Sequence, residues 1–156
     1  MHLAAHLAAL IAVMSTGVVY GTDVFCALVQ RAALARVDDA TLTAVMGNVH
    51  RIGDRRMPVP GVLGIVGSAT ACVLAALADR PAASTAAGAG LAVLVVWLVI
   101  YLRISAPINR TLTAAADRHE TPPNARSLQR RWDSVIVLRA ILQGVAMAGL
   151  CVSLLD

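Results

Sequence analysis

The sequence predicts an all-α protein, a four-helix transmembrane bundle with an amphipathic extension before the second span, and three observations carry that expectation. Hydrophobic residues fill 58% of 156 positions and charged residues 14%, against about 45–50% and 25% in soluble domains. Four apolar segments, near 3–28, 59–78, 86–102 and 134–155, approach the ~20 residues needed to cross a ~30 Å hydrocarbon core. Every basic side chain besides histidine is arginine: eleven arginines fall in the two long connections or at their edges, while the short second loop holds only Arg80. By the positive-inside rule this bias predicts a multi-pass protein of the cell (inner) membrane, with both termini outside and both long loops cytoplasmic. Residues 1–156 then form a single integral membrane domain. The basic charge reports topology and contact with anionic membrane lipid, so no nucleic-acid partner is expected.

The first segment opens on Met1-His2 without a basic leader region and is read as a retained helix. It carries Gly17-Val18-Val19-Tyr20-Gly21, a small-xxx-small spacing that lets a second helix approach closely. Asp23, on Tyr20's side of that helix, is a carboxylate at membrane depth and requires a partner. Cys26, Cys72 and Cys151 lie inside apolar segments without a Cys-x-x-Cys pair, which argues against disulfide-exchange chemistry. Cys72 and Cys151 share the outer half and are close enough in depth to meet.

Asp38-Asp39 precedes a helical pattern in which Leu42, Val45, Val49 and Ile52 make one apolar face. Asp39, Thr43, Gly47, His50 and Asp54 make a second stripe, so His50 and Asp54 project together one turn apart. Pro58 and Pro60 are expected to break or kink this helix, and Gly61, Gly64 and Gly67 then line one side of the second span. After a short turn the third segment ends on Trp97, Tyr101 and Arg103, an interfacial anchor. Ser105-Ala106-Pro107 is expected to restart a helix that bears Asn109, and Pro122-Pro123 lies in a solvated loop. In the fourth segment Trp132, Val135, Arg139 and Gln143 share a face, and Arg139 lies about as deep as Asp23. Equal depth and opposite sign pair them.

Two readings of these polar groups stay open. Asp23 and Arg139 form a structural clamp, or Arg139 holds a developing oxyanion while Asp23 accepts a proton. Likewise His50 is an interfacial histidine beside a salt-bridging Asp54, a general base oriented by Asp54, or with Asp54 a ligand for a single transition metal (iron, copper or manganese).

Gly17-Val18-Val19-Tyr20-Gly21-Thr22-Asp23-Val24-Phe25, Ala106-Pro107-Ile108-Asn109-Arg110-Thr111-Leu112, and Arg130-Arg131-Trp132 with Arg139 together resemble the anthrone oxygenases, a family of small four-helix membrane proteins. Where those proteins often carry an Asn-His pair before the helix-four arginine this chain has Ile136 and Val137, so it resembles a divergent member, in which either His50 and Asp54 supply a relocated polar group or the branch has another task. The resemblance implies a membrane-embedded oxidoreductase that oxidises a hydrophobic phenolic or polycyclic small-molecule substrate with dioxygen. Asp23, His50, Asn109 and Arg139 would be its catalytic residues and Tyr20, Trp132 and Gln143 its substrate contacts. Two other function classes fit the same residues. One is a small proton- or cation-coupled transporter or channel subunit working through Asp23, which brings a homo-oligomer with it because four helices offer little pathway alone. The other is a non-catalytic membrane interaction protein.

Overall fold

The structure, a computed structural model, describes residues 2–155. It comprises α1 (His2–Leu34), α2 (Asp39–Arg56), α3 (Pro58–Leu77), α4 (Pro81–Asp117) and α5 (Ala125–Ser153). Helices α1, α3, α4 and α5 are each long and apolar enough to span a bilayer, and the described residues include no strand. The chain is therefore a multi-pass membrane protein built as a helical bundle. α1 packs on α3 and α5, α4 packs on the same two, and α2 lies along the C-terminal part of α4.

Three helices run further than their apolar segments. α1 continues through a π-helical turn at Cys26–Gln30, where the Arg31 N–H reaches back to the Cys26 carbonyl. α4 does the same at Tyr101–Ser105, with the Ala106 N–H bonded to the Tyr101 carbonyl. This second turn corrects the expected restart at Pro107. Proline offers no N–H and crowds the carbonyl four residues earlier, and a wider turn just ahead of it lets one helix pass without ending. α5 begins at Ala125, nine residues before the apolar segment does, and carries its arginine-rich first turns as ordinary helix.

The proline signal between α2 and α3 held. The helix breaks at Met57, whose N–H bonds the Gly53 carbonyl at 2.8 Å while its carbonyl accepts from the Gly61 N–H at 3.0 Å. α2 and α3 thus form one jointed column. At the start of α2, Asp38 caps the helix by accepting from the Thr41 N–H at 2.7 Å, and that bond holds its exposed carboxyl below the usual range. Arg126 of α5 closes the α1–α2 turn. Its guanidinium donates to the Leu34 carbonyl at 2.8 Å, the Val37 carbonyl at 2.7 Å and Asp39 Oδ1 at 2.9 Å, so carbonyls orphaned at a helix end find donors.

The two ends of the bundle pack differently. At the end near the α3–α4 turn the core is alanine and glycine: Ala8, Ala9 and Ala12 meet Ala71, Ala87 and Leu150. A Cβ on Gly67 would lie 3.1 Å from both Ala12 Cβ and the Ala8 carbonyl oxygen, and one on Gly90 3.0 Å from the Ala146 carbonyl oxygen. By contrast the Gly17–Gly21 spacing sets no such approach, since nothing lies within 4 Å of a Cβ on Gly21. At the arginine-rich end Leu34, Leu42, Met46, Leu112, Trp132 and Ile136 form a core of larger side chains.

Helix α2 buries Leu42 of its apolar face together with the Thr43, Gly47 and His50 stripe, and leaves the rest of that apolar face exposed. Val45, Val49 and Ile52 are 43%, 45% and 47% exposed, whereas Leu42, Thr43, Met46, Gly47 and His50 are buried. Gly47 sits against Leu112 and Ala116 of α4, a contact with no room for a Cβ, so close approach selected the face. The cysteines are free: Cys26 is buried, Cys151 is exposed, and the Cys72 sulfur lies 3.7 Å from the Ser84 hydroxyl.

A leucine at position 67 must push α1 off α3, because backbone atoms bound the space. Thermal unfolding in detergent should show Gly67→Leu destabilised by about 1–3 kcal/mol, while Gly21→Ala stays within about 0.5 kcal/mol of the parent. Equal behaviour of the two variants would mean that the glycine contact does not set the α1–α3 distance.

Candidate functional site

Asp23 and Arg139 do meet. Arg139 Nη2 donates to Asp23 Oδ1 at 2.8 Å, and the two residues are 3% and 5% exposed. A buried ion pair is tolerable only when its remaining lone pairs and protons are also occupied. Asp23 Oδ2 accepts from Gln143 Nε2 at 2.6 Å and from Trp97 Nε1 at 3.3 Å, and Arg139 Nη1 donates to the Ser105 hydroxyl at 2.8 Å. The guanidinium carbon also lies 5.9, 5.4 and 5.6 Å from the rings of Trp97, Tyr101 and Trp132. Three aromatic faces thus share one buried cation, an attraction strengthened by its removal from bulk solvent.

A second network joins α2 to α4 and α5. Asp54 Oδ1 accepts from the Tyr101 hydroxyl and from Asn109 Nδ2, both at 2.8 Å, and Asn109 Oδ1 accepts from Trp132 Nε1 at 3.0 Å. His50 leans on Trp132, ring centroids 5.7 Å apart. It is 5% exposed and its Nε2 has no hydrogen-bond partner. Burial pushes its pKa from 6.5 down to about 4; Asp54 opposes that shift and the Arg139 cation adds to it. His50 is a neutral imidazole at physiological pH.

Both networks border one cavity of about 310 Å³. Asp23, His50, Asp54, Trp97, Tyr101 and Arg139 are among its walls, and Val49, Pro58, Val62 and Leu102 line it while remaining exposed. Its mouth is therefore aliphatic, and its interior holds the charges.

Of the residues singled out in the sequence, Asp23, His50, Asp54, Asn109, Trp132 and Arg139 line this cavity. Gln143 stands behind it, bound to Asp23. Tyr20 does not reach it. A Cβ on Gly144 would lie 3.4 Å from the Tyr20 ring, because three residues of helix turn Tyr20 away from Asp23 toward α5. Trp97 and Tyr101, read as interfacial anchors, turn inward with Ser105. Their i, i+4, i+8 spacing was the available signal.

The metal reading does not fit. Asp54 Oδ1 already has two donors, and among the described residues no three histidine, cysteine, aspartate or glutamate side chains stand close enough to hold an ion. Nor does Asp54 orient His50 through a hydrogen bond. Comparison with protein-family models, curated proteins and solved structures gives no match.

Removing one partner of the buried pair leaves the other charge uncompensated, so Asp23→Asn and Arg139→Gln should each cost about 3–5 kcal/mol. In a double-mutant cycle the paired variant should cost at least about 1 kcal/mol less than the sum, and additivity would show the two are not coupled. His50 supplies a pH test. The unfolded chain takes up its proton near pH 6.5 and the folded protein only near 4. Stability is therefore full above 6.5 and lost as pH falls through that window, by on the order of 3 kcal/mol. Melting between pH 7 and 4 should show His50→Gln losing much less, and equal losses would place the titration elsewhere.

Proposed function

We propose that the protein is a membrane-embedded oxidoreductase of the inner membrane, its termini outside and its long loops cytoplasmic. It draws a hydrophobic phenolic or enolisable polycyclic substrate sideways from the bilayer and oxidises it with dioxygen. One observation carries this reading. The two cavity residues with an unpartnered buried polar atom offer opposite hydrogen-bonding character: His50 Nε2 can accept a proton and the Arg139 Nε–H can donate. A phenol or its enolisable carbonyl form has both complements.

The chemistry follows from those two atoms. His50 Nε2 takes a proton from the activated C–H, and the electron pair moves onto the substrate oxygen, where the Arg139 Nε–H stabilises the enolate. An anion formed beside His50 offsets the desolvation that disfavours its charged form, so the base strengthens as the reaction needs it. The enolate carbon adds dioxygen to give a peroxide anion, which takes back the proton held on His50 Nε2 to become a hydroperoxide. Loss of water then leaves a carbonyl, one oxygen atom in the product and one in water. Asn109 and Tyr101 hold Asp54, while Ser105, Gln143 and Trp97 keep the Asp23–Arg139 pair fixed. Passage across the bilayer through Asp23 is the competing class, and packing favours the lateral reading: beyond Asp23 the bundle closes on alanine and glycine.

Oxygen uptake by the protein in vesicles, with anthrone as probe, should match carbonyl product one to one. His50→Ala should lower kcat by about 10²–10⁴. For the parent, kcat/KM should stay flat from pH 8 to 6 and fall as pH approaches about 4. Uptake unchanged by the substitution would overturn the assignment, and proton flux abolished by Asp23→Asn would replace it with transport.

A further inference from the structure

A groove outside the polar cavity has no part in that chemistry. It runs between the C-terminal turns of α1 and the first turns of α5, encloses about 460 Å³, and is lined by Arg31, Leu34, Arg126, Gln129, Arg130 and Asp133 among others. Three arginines against one aspartate leave it cationic. Arg126 is committed to the α1–α2 turn, whereas Arg31 and Arg130 are exposed and make no hydrogen bond or ion pair of their own among the described residues.

Gln129 adds a second, independent feature. It is 3% exposed, its Nε2 donates to Asp133 Oδ1 at 2.9 Å, and its Oε1 is buried with no partner. A buried acceptor without a donor is costly, so the groove suits a hydroxyl donor as well as an anion. Its depth says where both come from. Asp133 precedes Ser153 by twenty residues, about 30 Å of helix, which is one hydrocarbon thickness. The groove therefore lies level with the phosphates of the leaflet at the arginine-rich end.

We propose that this groove binds one phospholipid headgroup of the phosphatidylglycerol class. The phosphate lies between Arg31 and Arg130, and a glycerol hydroxyl donates to Gln129 Oε1. Free phosphate or a soluble glycerol phosphate shares the anionic chemistry but lacks acyl chains to hold it at that depth.

Binding would be read by native mass spectrometry and by thermal shift of the full chain in neutral detergent. Dioleoyl phosphatidylglycerol, dioleoyl phosphatidic acid, sn-glycerol 1-phosphate and inorganic phosphate would be titrated separately. Phosphatidylglycerol should bind with 1:1 saturation, at least threefold tighter than phosphatidic acid, and the two soluble phosphates should not compete below millimolar. Arg31→Gln with Arg130→Gln should weaken it at least tenfold. Arg110→Gln with Arg118→Gln, the same charge change elsewhere at that end, should not. Gln129→Leu should keep anionic-lipid binding but erase the preference for phosphatidylglycerol. Equal losses in the two double variants, equal affinity for the two lipids, or tight binding of a soluble phosphate would each overturn the proposal. If the Arg31/Arg130 variant fails to fold, Gln129→Leu alone decides through the lipid preference.

Discussion

A full charge in hydrocarbon costs several kcal/mol unless it is neutralised in place, and the architecture of this protein follows from meeting that demand once. Asp23 on α1 and Arg139 on α5 must lie at the same depth and face each other. That requirement fixes the register and rotation of two helices. Gln143, Ser105 and Trp97 occupy further hydrogen-bonding positions of the pair and leave the Arg139 Nε–H without a partner, which draws α4 into the same layer. A polar layer so completely specified cannot slide by one residue without stranding a charge, unlike the alanine contacts beside it.

The departures from ideal helix sit around this layer. The π-helical turn at Cys26–Gln30 begins three residues after Asp23, and the one at Tyr101–Ser105 lies between Trp97 and Asn109. Single wide turns of this kind re-aim side chains without ending a helix. The second delivers Tyr101 and Ser105 to opposite networks, Asp54 and Arg139. The break at Met57 brings α2 alongside, so that His50 and Asp54 reach a layer otherwise built from spanning helices.

Composition and hydropathy made the class of fold legible, and matched depth made the ion pair legible, because both depend on quantities linear along the chain. Rotation was harder. Of the apolar face of α2 the structure buries Leu42 and leaves Val45, Val49 and Ile52 exposed, so beside a membrane hydrophobicity alone does not tell inside from outside. What chose the face was the missing side chain of Gly47. Tyr20 departs for a related reason, since sharing a side of the helix with Asp23 fixes its direction only coarsely, and the remaining rotation sends it to α5 while Asp23 and Asp54 line the cavity.

The uneven packing along the bundle has a consequence for supply. Under the proposed function, with one end zipped by alanine and glycine, a lipid-dissolved substrate would reach the aliphatic mouth from the monolayer at the other end. The bilayer would then act as a selective antechamber. A compound's tendency to dissolve in that monolayer, and the rate at which it flips between the two sheets of lipid, would set the concentration the cavity experiences before any side chain makes contact.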